Sequence, residues 1–176
     1  MRTSTVLSVL SAAALSLAID APETTNNLSA SYFAVLPNRI DTDVRGTMTI
    51  ASAPNGKGAN IAFTLSGLPT EGGPFLYHIH DKAVPADGNC TGTGAHLDPY
   101  GRGETPPCDS TEKQTCQVGD LSGKYGTVNA TGYSAAYTDK YLSLVPGTPA
   151  YFGNRSIVVH FANKTRITCA NFTTIS

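Results

Sequence analysis

"DVRGTMTIASAPNGKGANIAFTLSGLP", residues Asp43–Pro69, decides the fold class. In its first half Val44, Met48 and Ile50 fall on one side; in its second, Ile61, Phe63 and Leu65 do. Strand side chains alternate faces with period two, so each half offers one apolar face. Between them "PNGKG" (Pro54–Gly58) is a turn cluster. The stretch therefore reads as a hairpin with one buried face.

The same pattern extends outward. "SYFAVLP" (Ser31–Pro37) is a short apolar run, and "PFLYHIH" (Pro74–His80) is a further strand. "SIVVHFANKTRITCANFTTI" (Ser156–Ile175) reads as two strands joined at Asn163-Lys164. Gly, Pro and β-branched residues interrupt nearly every window long enough for a helix. The expected fold is an all-β antiparallel sandwich or barrel. Lys82–Gly126 differs, being rich in Gly, Pro, Asp and Thr. A loop this long in a compact domain is functional or disordered. Three of the four cysteines and His96 sit inside it, which points to a pinned, functional loop.

The chain has 176 residues and a formal net charge of −1, which suits one domain with a real core. No basic stripe or Lys/Arg cluster occurs, which excludes a nucleic-acid partner. Met1-Arg2 followed by the apolar Val6–Ala18 reads as a signal peptide, with "SLA" placing the cut after Ala18. Residues 1–18 are thus a leader and 19–176 one domain. The chain ends "CANFTTIS", with no apolar tail, so neither a membrane span nor a lipid anchor is expected. Six sequons, at Asn27, Asn89, Asn129, Asn154, Asn163 and Asn171, agree with secretion. So does the even set of Cys90, Cys108, Cys116 and Cys169, for which spacing leaves three pairings open.

The chain has only four histidines, and two stand at i and i+2 in "FLYHIHDK" (Phe75–Lys82). On a strand His78 and His80 share a face and can reach one metal. His96 lies in the long loop, and His160 ends the apolar run "SIVVH". One reading brings all four to a single ion, and a nitrogen set of this kind suits copper. The other makes them a surface pair, a loop residue and a core residue bonded to backbone carbonyls. That no histidine is left over favours convergence.

Three segments carry a resemblance that settles more than spacing. "GLPTEGGPFLYHIHDKAVPADGNCTGTGAHLDPYG" (Gly67–Gly101), "QVGDLSGKYG" (Gln117–Gly126) and the pair "SIVVH" and "TRITCAN" (Ser156–His160, Thr165–Asn171) resemble, in order, the copper superoxide dismutases. The likeness covers most of Ser31–Ile175. It implies a Greek-key β-sandwich or barrel of the Cu/Zn superoxide dismutase type. It further implies copper ligands His78, His80, His96 and His160, a Cys90–Cys169 disulfide, and an anion-orienting role for Arg166.

Two departures narrow the resemblance. Only His96 and Asp120 match the zinc ligands of the Cu/Zn enzymes; Gln117 stands where a zinc histidine belongs. Such a set is a poor zinc site. The long charged loop of those enzymes is also missing, since only "FANKT" separates His160 from Arg166. Both losses mark the fungal copper-only branch, which is secreted or wall-bound. That branch carries glutamate where this chain has Gln117, whose amide oxygen can still accept a bond from His96. Asp120 is the other candidate for orienting His96, or else a turn residue. Cys108 and Cys116 lie outside the shared pattern and read as a second, local disulfide, stapling the loop where zinc is lost.

The expected protein is a secreted, monomeric enzyme with one copper per chain and no zinc. It converts superoxide to oxygen and hydrogen peroxide by alternating Cu(II) and Cu(I). In this reading His96 also carries a proton in the reduced state, and Arg166 attracts the anion. The alternative is an extracellular copper buffer without turnover, which would need no anion site. With no long loop over it, the copper is expected to be open to solvent.

Overall fold

A computed structural model describes residues 19–175; the leader expected over residues 1–18 lies outside them. The hairpin is there: β1 (Ser31–Val35), β2 (Arg45–Ser52) and β3 (Ala59–Ser66) form an antiparallel meander. Opposite residues pair by face, Met48 with Phe63 and Ile50 with Ile61, and all four are buried. Each such apolar side chain gives about 1.5–3 kcal/mol when withdrawn from water.

The later strands divide between two sheets. β4 (Leu76–His80) leaves the first sheet, and β5 (Tyr133–Asp139) returns to pair with β3. β6 (Ser156–His160) and β7 (Arg166–Asn171) join β4, and the short β8 (Thr173–Thr174) comes back beside β1. The sheet orders are β5-β3-β2-β1-β8 and β4-β6-β7. β5 and β8 are strands the sequence reading did not single out. The core lies between the sheets, where Phe63 packs on Tyr77 with ring centroids 5.0 Å apart.

The long loop is pinned as expected, and by more than disulfides. Cys90 bonds Cys169, and Cys108 bonds Cys116. The loop also lays two segments against β4: Leu97 N donates to Ile79 O at 2.9 Å, and Gly119 N donates to Leu97 O at 2.8 Å. Ile79 N closes the set by donating to Gly119 O at 2.9 Å. A Cβ at position 119 would stand 2.1 Å from Ile79 O, so only glycine permits this approach.

The loop contains a helical turn, α1 (Leu121–Tyr125), that sequence patterning did not reveal. Five residues including Gly123 make no stable helix alone. Tertiary contacts hold it. Lys124 Nζ reaches Val118 O at 2.9 Å and pairs with Asp139, both side chains being fully buried. Asp139 is satisfied in turn by Tyr125 Oη at 3.0 Å and by the amides of Tyr141 and Leu142, each at 2.8 Å. Among the described residues no helix is long and apolar enough to cross a membrane.

Candidate metal centre

Three elements bring the histidines together. β4 supplies His78 and His80 on the face opposite Tyr77 and Ile79, and β6 supplies His160 as its last residue. The loop supplies His96, which lies opposite His80 across an isolated β-bridge. Each of His78, His80 and His160 offers one ring nitrogen within 4.8 Å of the others. His96 completes the group, its ring centroid 3.9 Å from that of His78 and 5.2 Å from that of His80. These are not surface side chains: His78, His80 and His160 are only 4%, 1% and 3% exposed.

Hydrogen bonds show which nitrogens are free. His80 Nδ1 faces Gly94 O at 2.9 Å, and His160 Nδ1 faces Lys164 O at 2.9 Å. A carbonyl only accepts, so both rings carry hydrogen on Nδ1 and a lone pair on Nε2. These two Nε2 atoms lie 3.1 Å apart. His96 Nδ1 is 2.6 Å from Gln117 Oε1, which leaves its Nε2 bare as well. His78 is turned the other way. Its Nε2 lies 3.0 Å from Ser122 Oγ and 3.5 Å from Asp120 Oδ1, and its Nδ1 is buried without a partner.

The centre thus collects His78 Nδ1 and the Nε2 atoms of His80, His96 and His160 as bare acceptors. Unpaired acceptors are costly when buried, and two facing lone pairs repel. A cation removes both penalties. A proton is a poor answer: burial pushes His80 down to about 3, against the Gly94 carbonyl, and His160 down to about 4. His78 is pushed lower still, by burial and then by the neighbouring imidazoles. Four imidazole nitrogens turned to one point fit a borderline transition metal such as copper.

Asp120 takes the turn role and stands beside His78, whereas the partner of His96 is Gln117. Its Oδ1 accepts from Gly123 N at 2.8 Å and so caps α1, and the same oxygen faces His78. Among the described residues zinc finds no comparable set, since the side chains bonded to His96 and Gln117 are one amide and one carboxylate, Asp98. Ser122, Asp98 and Thr93 were not singled out from sequence. Of these only Asp98 carried a signal, being a carboxylate two residues from His96.

Arg166 sits beside the histidines through a bulge. Val159 pairs with Thr168, yet His160 pairs with Arg166, so Ile167 is the extra residue. Such bulges re-aim side chains. The guanidinium donates to the carbonyl of Cys90, to Thr93 Oγ1 at 3.2 Å and to Gly94 O at 2.5 Å. The Cys90–Cys169 disulfide fixes that turn, so it also fixes the cation.

Four histidines, Arg166, Gln117 and Asp120 line one cleft of about 410 Å³. No long charged loop arches over it, but the stapled segment supplies one wall through Arg102, Glu104 and Cys108. Glu104 also pairs with Lys164 at 2.6 Å, tying that wall to the β6–β7 turn. All six sequon asparagines are exposed, though Asn171 already bonds Val84 N at 2.6 Å.

The copper/zinc superoxide dismutase (SODC) family model matches residues 44–170. The chain is 41% identical over 200 residues to the cell surface Cu-only superoxide dismutase of Arthroderma benhamiae, covering 94% of this chain and 54% of that protein. It is 39% identical over 171 residues to the cell surface Cu-only superoxide dismutase 5 of Candida albicans, with coverages of 95% and 72%. The solved Cu(II) structure of Candida albicans superoxide dismutase 5 superposes with a TM-score of 0.76 at 37% identity, covering 84% of this chain and 94% of that one. The chain spans about half the length of the Arthroderma relative.

Proposed function

The chain belongs to the copper/zinc superoxide dismutase family, and we propose that it is a secreted copper-only superoxide dismutase. The observation that carries this is the set of four bare imidazole nitrogens beside a fixed guanidinium. His78 through Nδ1, and His80, His96 and His160 through Nε2, would hold one copper. Bound there, copper supplies one-electron chemistry, by which one superoxide is oxidised to oxygen and a second is reduced, with two protons, to hydrogen peroxide. The residue roles follow from their bonds. The Gly94 and Lys164 carbonyls hold His80 and His160 in the tautomer that presents Nε2. His96 comes from the loop, and its Nδ1 is held by the Gln117 side chain, not by a backbone carbonyl; it is the histidine suited to accept and release a proton at Nε2.

Arg166 brings positive charge to the cleft without touching a ligand nitrogen. Held by backbone carbonyls, it needs no rearrangement when a small anion arrives. A fixed cation of this kind raises the on-rate of an anion and is of no use to a copper store. That is the observation favouring an enzyme over an extracellular copper buffer. Paired cysteines and exposed sequons support a secreted or cell-surface location, as do the cell-surface names of the relatives. No stoichiometric zinc is proposed, and the protein is proposed to work as a monomer. Elemental analysis of the purified protein, with superoxide assays before and after copper loading, tests the reading. Activity that tracks copper supports it; copper binding without turnover supports the buffer.

A further inference from the structure

His96, Gln117 and Asp98 form one hydrogen-bonded chain. Gln117 Oε1 lies 2.6 Å from His96 Nδ1, and Gln117 Nε2 lies 3.3 Å from Asp98 Oδ2. Gln117 is only 8% exposed, so water does not readily replace either partner. An amide has two unlike ends, and by itself it can turn either one to a histidine. A carboxylate accepts only. With Asp98 behind it, the amide must turn its nitrogen to Asp98 and its oxygen to His96. The imidazole must then donate from Nδ1, and its Nε2 is left bare toward the other three rings. Asp98 is itself held in place, since Oδ1 accepts from Arg102 N at 3.0 Å and Oδ2 from Gly103 N at 2.8 Å.

We propose that Asp98 is a positioning residue which, acting through Gln117, fixes His96 as the Nδ1–H tautomer. The neutral amide thereby passes on the influence of a carboxylate that does not touch the imidazole. An N–H donated to an anion polarises the amide, so its oxygen becomes the stronger acceptor; cooperative gains of this sort are about 10–30% per bond. The role matters to metal binding only if His96 is a ligand, as proposed above. The rival reading is that Asp98 merely stabilises the bend from residue 98 to 103. That reading predicts loss of stability on substitution, with no effect on the tautomer.

The test is nitrogen NMR on the metal-free protein, in which the chain's four imidazoles can be assigned individually. In the parent chain His96 should be the Nδ1–H tautomer, and one Gln117 Nε2 proton should be protected from exchange. Asp98→Asn keeps one of the two oxygens that hold the bend and offers Gln117 a donor as well, so the amide loses its fixed sense. His96 should then become a tautomer mixture, and copper affinity should fall about tenfold, as for other partners behind a metal ligand. Gln117→Glu places a carboxylate on His96 directly, so Asp98→Asn added to it should cost no further affinity. An unchanged tautomer and affinity in Asp98→Asn would overturn the proposal. So would an equal loss in the Gln117→Glu background, which a purely structural role predicts. Should Asp98→Asn fail to fold, the parent decides: a freely exchanging Gln117 amide or a mixed His96 tautomer defeats the proposal. A copper-loaded parent without superoxide turnover would count against the activity and leave these tautomer results standing.

Discussion

His80 and His160 face each other through Nε2 atoms 3.1 Å apart, and neither atom carries a hydrogen. Each ring donates its only proton to a backbone carbonyl, so the contact sets lone pair against lone pair. In the β4–β6 ladder Leu76 lies opposite His160 and His80 opposite Ser156, so the two rings share one face and reach toward each other along it from opposite ends, each held at Nδ1 by a backbone carbonyl. The two carbonyls therefore aim both Nε2 lone pairs at one point, where a cation would be held by both.

Burial of these rings makes the metal-free protein sensitive to acid. It holds His80 at about 3 and His160 at about 4, below the ordinary 6.5. At acidic pH the unfolded chain therefore binds more protons than the folded one. Stability should be full above about 6.5, fall as pH drops below it, and keep falling until about 3. A tenfold difference in proton affinity between the folded and unfolded chain is worth about 1.4 kcal/mol, so the loss should reach several kcal/mol. Urea denaturation of the metal-free protein between pH 7 and pH 4 measures it; a flat profile contradicts the burial argument.

Arg166→Ala should keep copper and lose activity. The guanidinium touches carbonyls and Thr93, not a ligand nitrogen. The second-order rate should drop about tenfold or more, and its dependence on salt should weaken. Stopped-flow rates across ionic strength, beside copper analysis, report both. Parental turnover in the variant would remove Arg166 from the anion site.

Replacing Cys108 and Cys116 with serine should loosen one wall of the cleft. The disulfide closes a short loop, so its loss should cost about 2–3 kcal/mol. Copper should also leave faster to a bulky chelator, because Arg102 and Glu104 share that wall. A chelator time course at equal temperature distinguishes this from a loss of stability alone, and unchanged release would mean that the wall does not shield the metal.

Lys124→Met should destabilise the whole domain by about 3–5 kcal/mol, since it strands Asp139 as an uncompensated buried charge. Joint replacement of Lys124 and Asp139 by apolar residues should recover much of this. Denaturation midpoints of the single and double variants check it, and equal losses in both would argue against charge burial as the cause.

The parts of this molecule legible in sequence are those that repeat locally. Met48, Ile50, Ile61 and Phe63 alternate, so the β2–β3 hairpin could be read directly. β5 was harder: in "YSAAYTD" the inward face, Tyr133, Ala135, Tyr137 and Asp139, is only half-buried until Asp139, so its apolar signal is diluted by a small and a charged residue. α1 was illegible because Lys124 finds its partner fifteen positions away, beyond any local pattern. The four histidines stood out by scarcity and by position. Ser122 and Asp98 did not, because what a serine or aspartate supports depends on which ring the tertiary fold brings to it.

The central claim is best tested by pulse-radiolysis measurement of superoxide decay on protein loaded with one copper and stripped of zinc. The account predicts a catalysed second-order decay that scales with copper content and needs no zinc. Superoxide decaying at the uncatalysed rate, with copper still seated in the four-histidine centre, would contradict it.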